Sequence, residues 1–294
     1  MNFRTDLALE RRDILGAGQL PGIISSGYSA ENARVTQIEV INEEGAEALC
    51  KPVGKYITVE VPEFAHSCEL FDGRLTAAVD SLRSLLPGEG AVLVAGLGNN
   101  DITPDALGPK CSRLIFSTRH IGEELSGSLG LGGLRPVCSL TPGVLGQTGI
   151  ETAEIIAGVV SRLKPRAVIT VDALAAMQLS RLGNTIQMCD TGVAPGSGVG
   201  NRRTEISEKT LGVPVISLGV PTVVDALTVA CDIFGKEDTA EEHRELFDSK
   251  YAGMMVSPRE IDLLIERAAK LLALSINCAL QKSLSAEDLI ALTQ

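Results

Sequence analysis

Two apolar runs, Ala91-Val-Leu-Val-Ala95 and Ala167-Val-Ile-Thr-Val171, the second broken only by Thr170, limit what this chain can fold into. A strand that is apolar at successive positions hides both faces, so it belongs inside a sheet covered by helices on either side. The first run ends in Gly96 and Gly98, the mark of a tight turn. Thr103 and Pro104 then suit a helix cap and first helical position, because threonine accepts an orphan amide hydrogen and proline needs none there. Asp105 falls in that first turn, just past the strand. The second run leads into Asp172, which reads as the strand's carboxyl end ahead of the helix formers Ala173-Leu-Ala-Ala176. Open α/β sheets bind ligands in the crevice outside the carboxyl ends of their strands, so neighbouring strands would turn both carboxylates into one crevice. An acid at a helix start is ordinary in itself and stabilises the helix by a few tenths of a kcal/mol to about 1. Two in the same setting point to chemistry.

Around these runs, strands and helices alternate from residue 91 to residue 234, the pattern of a mainly parallel α/β sheet. Residues 1–34 read as mixed, with a Gly/Pro/Ser-rich piece over 16–29 that suggests irregular structure. Residues 35–41 and 55–61 alternate apolar and polar side chains and predict a hairpin. Residues 70–86 carry helical apolar spacing, and Pro87-Gly-Glu-Gly90 stops that helix. Thr148-Gly-Ile-Glu151 matches a capping box ahead of a helix that Lys164-Pro165 ends. Further helices are expected after Ala173, from Pro221 through residue 234, and from Pro258 to about residue 280, with strands at 136–140, 185–189 and 213–218. The glycine-rich pieces at 122–133 and 190–203 read as loops, and the acidic piece at 236–250 as exposed.

Composition narrows the function. With 294 residues and 45% hydrophobic content the chain builds a large core, filled by aliphatic side chains because aromatics make up only 3%. A net charge of −11 with no basic run speaks against nucleic-acid binding. No apolar run approaches the roughly 20 residues that span a membrane, and no signal peptide is visible, so a cytoplasmic protein is expected. Seven scattered cysteines, without a Cys-x-x-Cys pair, fit neither a disulfide framework nor a structural zinc site.

Other chemistries fit poorly. Gly96-Leu-Gly-Asn-Asn-Asp101 has an aspartate where a dinucleotide fingerprint needs its third glycine, and that charge would repel a pyrophosphate. Asp190-Thr-Gly192 matches a motif of pepsin-like proteases, which are all-β proteins. No Gly-x-Ser-x-Gly elbow is present, and His66, His120 and His243 lie in peripheral stretches. Two carboxylates remain as the best acid and base. Like charges held close share one proton, so one carboxylate can take a proton from water while the other gives one to a peptide carbonyl or leaving amine. The same pair could instead ligate a divalent metal.

At these residues the sequence closely resembles the germination proteases of spore-forming bacteria. The matching motifs include Arg4-Thr-Asp-Leu7, Gly96-Leu-Gly-Asn99, Thr103-Pro-Asp-Ala-Leu-Gly-Pro109, Thr118-Arg-His120, Thr148-Gly-Ile-Glu-Thr152, Val171-Asp-Ala-Leu-Ala-Ala176, Asp190-Thr-Gly192, Pro195-Gly-Ser-Gly-Val-Gly-Asn201 and Gly219-Val-Pro-Thr-Val-Val-Asp-Ala226. The resemblance implies a three-layer α/β fold similar to hydrogenase-maturation proteases, with a small N-terminal β-hairpin element. It implies a homotetrameric endopeptidase of the spore core that degrades small acid-soluble spore proteins by an atypical aspartic mechanism, with no cofactor and no metal. Catalysis falls to Asp105 and Asp172, and substrate binding or support of the site to Asn99, Thr103, Asp190, Gly196, Ser197 and Gly198. It further implies a zymogen that cuts itself between Asp6 and Leu7, so that residues 1–6 form a short propeptide and 7–294 one peptidase domain. The chain departs from the family pattern at Met177, at Ala194 and in a short segment between Asp225 and Pro258. The rival readings are a metal-dependent peptidase using the same carboxylates and an inactive binding protein for spore proteins.

Overall fold

The computed structural model describes residues 5–16, 20–67, 69–121, 127, 132–196, 203–226, 228–230 and 253–293. Its centre is a sheet of β1 (Ile23–Ala30), β2 (Ala33–Val40), β3 (Gly54–Glu60), β4 (Val92–Gly96), β5 (Val137–Leu140), β6 (Ala167–Ala176), β7 (Thr185–Cys189), β8 (Val215–Asp225) and β9 (Met255–Val256). The strand order is β1-β2-β3-β7-β8-β6-β4-β5, with β9 on β8. The strands β8, β6, β4 and β5 pair in parallel, and β1, β2, β3 and β7 extend the sheet with antiparallel pairs.

The apolar runs are explained by the layers. Val92 and Val94 of β4 face a core shared with α3 (Gly73–Leu85), α4 (Leu107–Arg113) and the long α8 (Ile261–Leu280). Leu93 and Ala95 point the other way, onto Ile156 and Val160 of α6 (Thr152–Leu163). That second face continues over β2 and β3, where Ile38, Val40 and Tyr56 pack beneath α1 (Ala8–Leu15). Each such fully buried aliphatic side chain stabilises the fold by roughly 1.5–3 kcal/mol. The result is a three-layer α/β arrangement. Among the described residues, no helix is long and apolar enough to cross a membrane.

The hairpin of β2 and β3 forms as expected, with α2 (Glu43–Leu49) in its connection, capped by the Asn42 side chain on the Gly45 amide at 2.9 Å. Several expectations are corrected. Residues 1–34 are more ordered than their composition suggests: Ala8–Leu15 is helical and Ile23–Ala30 is a strand. β1 is exposed along nearly its whole length at the sheet edge, so it carries no apolar periodicity to read. No helix follows Asp172 directly, and the helix expected from Pro221 starts later, with residues 226 and 228–230 helical, because β6 runs on to Ala176 and β8 to Asp225, paired side by side. Propensity yields here to burial: Leu174, Ala176 and Val224 pack on Leu7. Pro221 is tolerated because it lies opposite Leu174, at a register irregularity where a strand dispenses with a ladder donor. The capping box lies three residues later than expected, with Glu151 as N-cap and Glu154 as its partner, after a short α5 (Leu145–Thr148). A helix not anticipated, α9 (Ala286–Thr293), follows α8. The acidic piece 236–250 and most of the glycine-rich piece 122–133 lie outside the described residues.

Candidate active site

The site is made by strands of unequal length. β4 ends at Gly96, opposite Val171, and the Leu97 amide donates to the Val171 carbonyl at 2.8 Å before the chain turns away. β6 continues, so Asp172 sits one residue past the last β4 partner. On its other side Asp172 is in register with Gly219 of β8. A side chain at Gly219 would come within 2.6 Å of both the Asp172 carbonyl oxygen and the Leu174 side chain. Glycine is needed there to keep the strand beside the acid.

Asp105 reaches the same place from the turn after β4. Thr103–Asp105 forms a single 3-10 turn whose N-cap is Ile102, so Thr103 is its first residue and not its cap. Thr222 of β8 fixes that turn by donating its hydroxyl to the Pro104 carbonyl at 2.8 Å. The Asn99 amide donates to Asp105 Oδ2 at 2.7 Å. Gly98, at φ 110°, allows the chain to fold back this tightly; a Cβ there would lie 2.1 Å from the Asp105 carbonyl oxygen.

Burial raises both carboxyls. Asp172 is 7% exposed. Burial, then the negative charges of Asp105 and Asp6, push its carboxyl up to about 8, against the pull of the Ala173 amide, which donates to Oδ1 at 2.9 Å. Asp105 is half-buried, and burial raises it too, opposed by the Asn99 amide. The pair therefore holds a proton at neutral pH, and Asp172 is the carboxyl that carries it.

The other candidate residues divide. Asn99 and Thr103 lie in the Asp105 turn, and Asn99 Oδ1 accepts from Gln147 Nε2 at 2.8 Å. Asp190 is not with the pair. It follows the end of β7, which β8 separates from β6, and its carboxylate accepts the Lys55 amide at 2.7 Å. Gly196 is in a left-handed conformation at φ 73°; Ser197 and Gly198 lie outside the described residues.

Asp6 and Leu7 lie along the end of β6. The Asp6 amide donates to the Ala175 carbonyl at 3.1 Å, the Ala175 amide donates back to Asp6 Oδ2 at 2.9 Å, and Lys51 Nζ donates to the Asp6 carbonyl at 2.9 Å. Leu7 is fully buried against Leu174, Ala176 and Val224. Glu10, also fully buried, accepts the Met177 amide at 2.8 Å, the Gln178 amide at 2.9 Å and the Thr5 hydroxyl. Gln147, Lys51 and Glu10 were not singled out by the sequence, since each acts through a contact between segments far apart in the chain. Among the described residues, no group of three or more His, Cys, Asp or Glu is arranged to hold a metal ion.

Fold and geometry together define a class: an α/β protein with two aspartates brought together beyond the end of β4, an arrangement able to support hydrolysis by acid–base catalysis. The family model described as germination protease matches residues 6–235. The germination protease of Clostridium tetani (strain Massachusetts / E88) is 42% identical, the match covering 98% of each chain. That of Clostridium perfringens (strain 13 / Type A) is 41% identical over 98% of each. That of Priestia megaterium is 35% identical over 99% of this chain and 97% of its own. The chain belongs to the germination protease family and is a protease of spore germination. Among solved structures, the NiFe hydrogenase maturation protease HycI from Thermococcus kodakarensis is similar over 67% of this chain and 98% of that one, at 18% identity and a TM-score of 0.37.

Proposed function

We propose that this protease is an endopeptidase that starts the degradation of small acid-soluble spore proteins in the spore core, with Asp105 and Asp172 as its acid and base. The observation that carries the reading is the pairing of a buried Asp172, its carboxyl raised to about 8, with the half-buried Asp105. Asp105, ionised and oriented by the Asn99 amide, takes a proton from the attacking water. Asp172 gives its proton to the scissile carbonyl oxygen, and the leaving nitrogen is then protonated from the pair. No metal is assigned a step.

The same reading makes the chain a zymogen: residues 1–6 are a propeptide, 7–294 the peptidase domain, and the Asp6–Leu7 bond is cut by the enzyme itself. It is supported by the run of Asp6 along Ala175, close enough to Asp172 for its charge to be felt there. A homotetramer completes the proposal, with the exposed Ile24 and Tyr28 of edge strand β1 available for contact.

The test is cleavage of a purified small acid-soluble spore protein by wild type, Asp105→Asn and Asp172→Asn, with intact mass following loss of residues 1–6. Each variant should fold, cut slower by a factor of about 10² to 10⁴, and keep its N-terminus. Turnover close to wild type in either variant overturns the assignment. Retained binding with no cleavage by wild type would instead make the chain a binding protein.

A further inference from the structure

We propose that Glu10 is the receptor for the new amino terminus created when the Asp6–Leu7 bond is cut, an inference that rests on the reading above that this bond is hydrolysed. In the intact chain one atom, the Thr5 hydroxyl oxygen, stands between the two groups concerned. It accepts the Leu7 amide at 2.9 Å and donates to Glu10 Oε2. Hydrolysis adds one water across the bond, leaving Asp6 with a carboxylate and Leu7 with an amine that takes up a proton. Thr5 departs with the released peptide, so the Leu7 nitrogen and Glu10 Oε2 lose the partner they shared.

The two groups are already within reach of each other. Leu7 is the N-cap of α1 and Glu10 its third helical residue, the spacing at which a glutamate side chain bonds the N-cap nitrogen. The protein uses that spacing elsewhere: the Glu151 amide donates to Glu154 Oε2 at 3.3 Å. Each group also needs the other. Glu10 is fully buried, and without the Thr5 hydroxyl its hydrogen-bond donors among the described residues are the Met177 and Gln178 amides. The Leu7 ammonium would lie beside Leu174, Ala176 and Val224 at the positive end of a helix, where an unpaired cation is unfavourable.

The consequence reaches the site. Glu10 holds the amides just past the end of β6, the strand that carries Asp172, so a Leu7–Glu10 ion pair keeps this strand in place after the propeptide leaves. Glu10 is thus a positioning residue. The other charges in range are Arg181, which acts on Glu10, and Lys51, which feels Glu10, Arg11 and Asp6. Asp172, earlier in β6, also feels Asp6 and is the acid of that strand.

The test uses protein made to begin at Leu7, by removing a fusion partner that leaves this residue as the free terminus, so that it does not depend on self-cleavage. The protonation midpoint of the Leu7 amine is read from its labelling rate against pH. It should lie about one pH unit or more above the usual 7.7–8.0 for an α-amine. Glu10→Gln should bring it to the usual range or below, and Glu10→Asp should restore part of the shift. Placing one alanine before Leu7 should lower the urea midpoint in the Glu10 protein and have little effect in Glu10→Gln, a coupling that a purely structural glutamate would not produce. An amine that titrates in the usual range, indifferent to Glu10, overturns the proposal. Failure of the full chain to cut at Asp6–Leu7, seen by intact mass, would overturn the underlying reading and leave this titration unaffected.

Discussion

The backbone amide of Asn99 donates to Asp105 Oδ2 at 2.7 Å and so ties the turn after β4 to the acid that follows it. The contact depends on Gly98, whose φ of 110° and missing side chain let the two segments meet. Gly98→Ala should therefore move Asp105 away from Asp172. A misplacement of about 1 Å can lower turnover by about 10²-fold. The expected outcome is a fall in kcat of that order with a far-ultraviolet spectrum like wild type. Unchanged kcat would show that this turn does not set the geometry of the pair.

Asp172 binds its proton more tightly in the folded protein than in the unfolded chain, because its carboxyl rises from the ordinary 3.8 to about 8. The stability this proton provides is complete below pH 3.8 and is lost as the pH rises through about 8, by at most about 1.4 kcal/mol per pH unit. Asp172→Asn is neutral throughout and lacks this slope. Its melting temperature should exceed that of wild type above pH 8 and approach it in acid. Parallel curves for the two proteins would mean that Asp172 is ionised in the fold at neutral pH.

Asp190 provides a contrast. Its carboxylate accepts the Lys55 amide at the junction of β3 and β7, away from the aspartate pair. Asp190→Asn should cost about 0.5–1.5 kcal/mol of stability and lower kcat by less than tenfold. A loss matching that of Asp105→Asn would place Asp190 in the chemistry.

Chelation should leave turnover unchanged. Prolonged incubation with EDTA, followed by metal analysis and assay, is expected to return wild-type activity. Activity that disappears and returns with one stoichiometric ion would favour the metal-dependent reading.

The central strands were legible because burial on both faces leaves an unmistakable mark, as in Val92-Leu-Val-Ala95, where successive side chains enter opposite cores. Asp105 and Asp172 were legible for the same reason, as acids set against such runs. Where β6 and β8 end was not. Ala173-Leu-Ala-Ala176 and Pro221 carry helix-like local signals, and only pairing between the two strands and the packing of Leu7 keep them extended. β1 was hidden by its exposure. Glu10, Lys51 and Gln147 escaped notice because their roles arise from contacts with residues distant in sequence, such as Glu10 with Met177. Composition and spacing hold no trace of those contacts.

The proposed mechanism requires Asp105 and Asp172 to share one proton at neutral pH. Carboxyl-carbon NMR of protein labelled at aspartate Cγ, titrated in wild type and in Asp105→Asn, measures it directly. One aspartate should titrate near pH 8, its midpoint falling when the Asp105 charge is removed. Two ordinary aspartate titrations, both complete below about pH 5 and indifferent to the substitution, would contradict it.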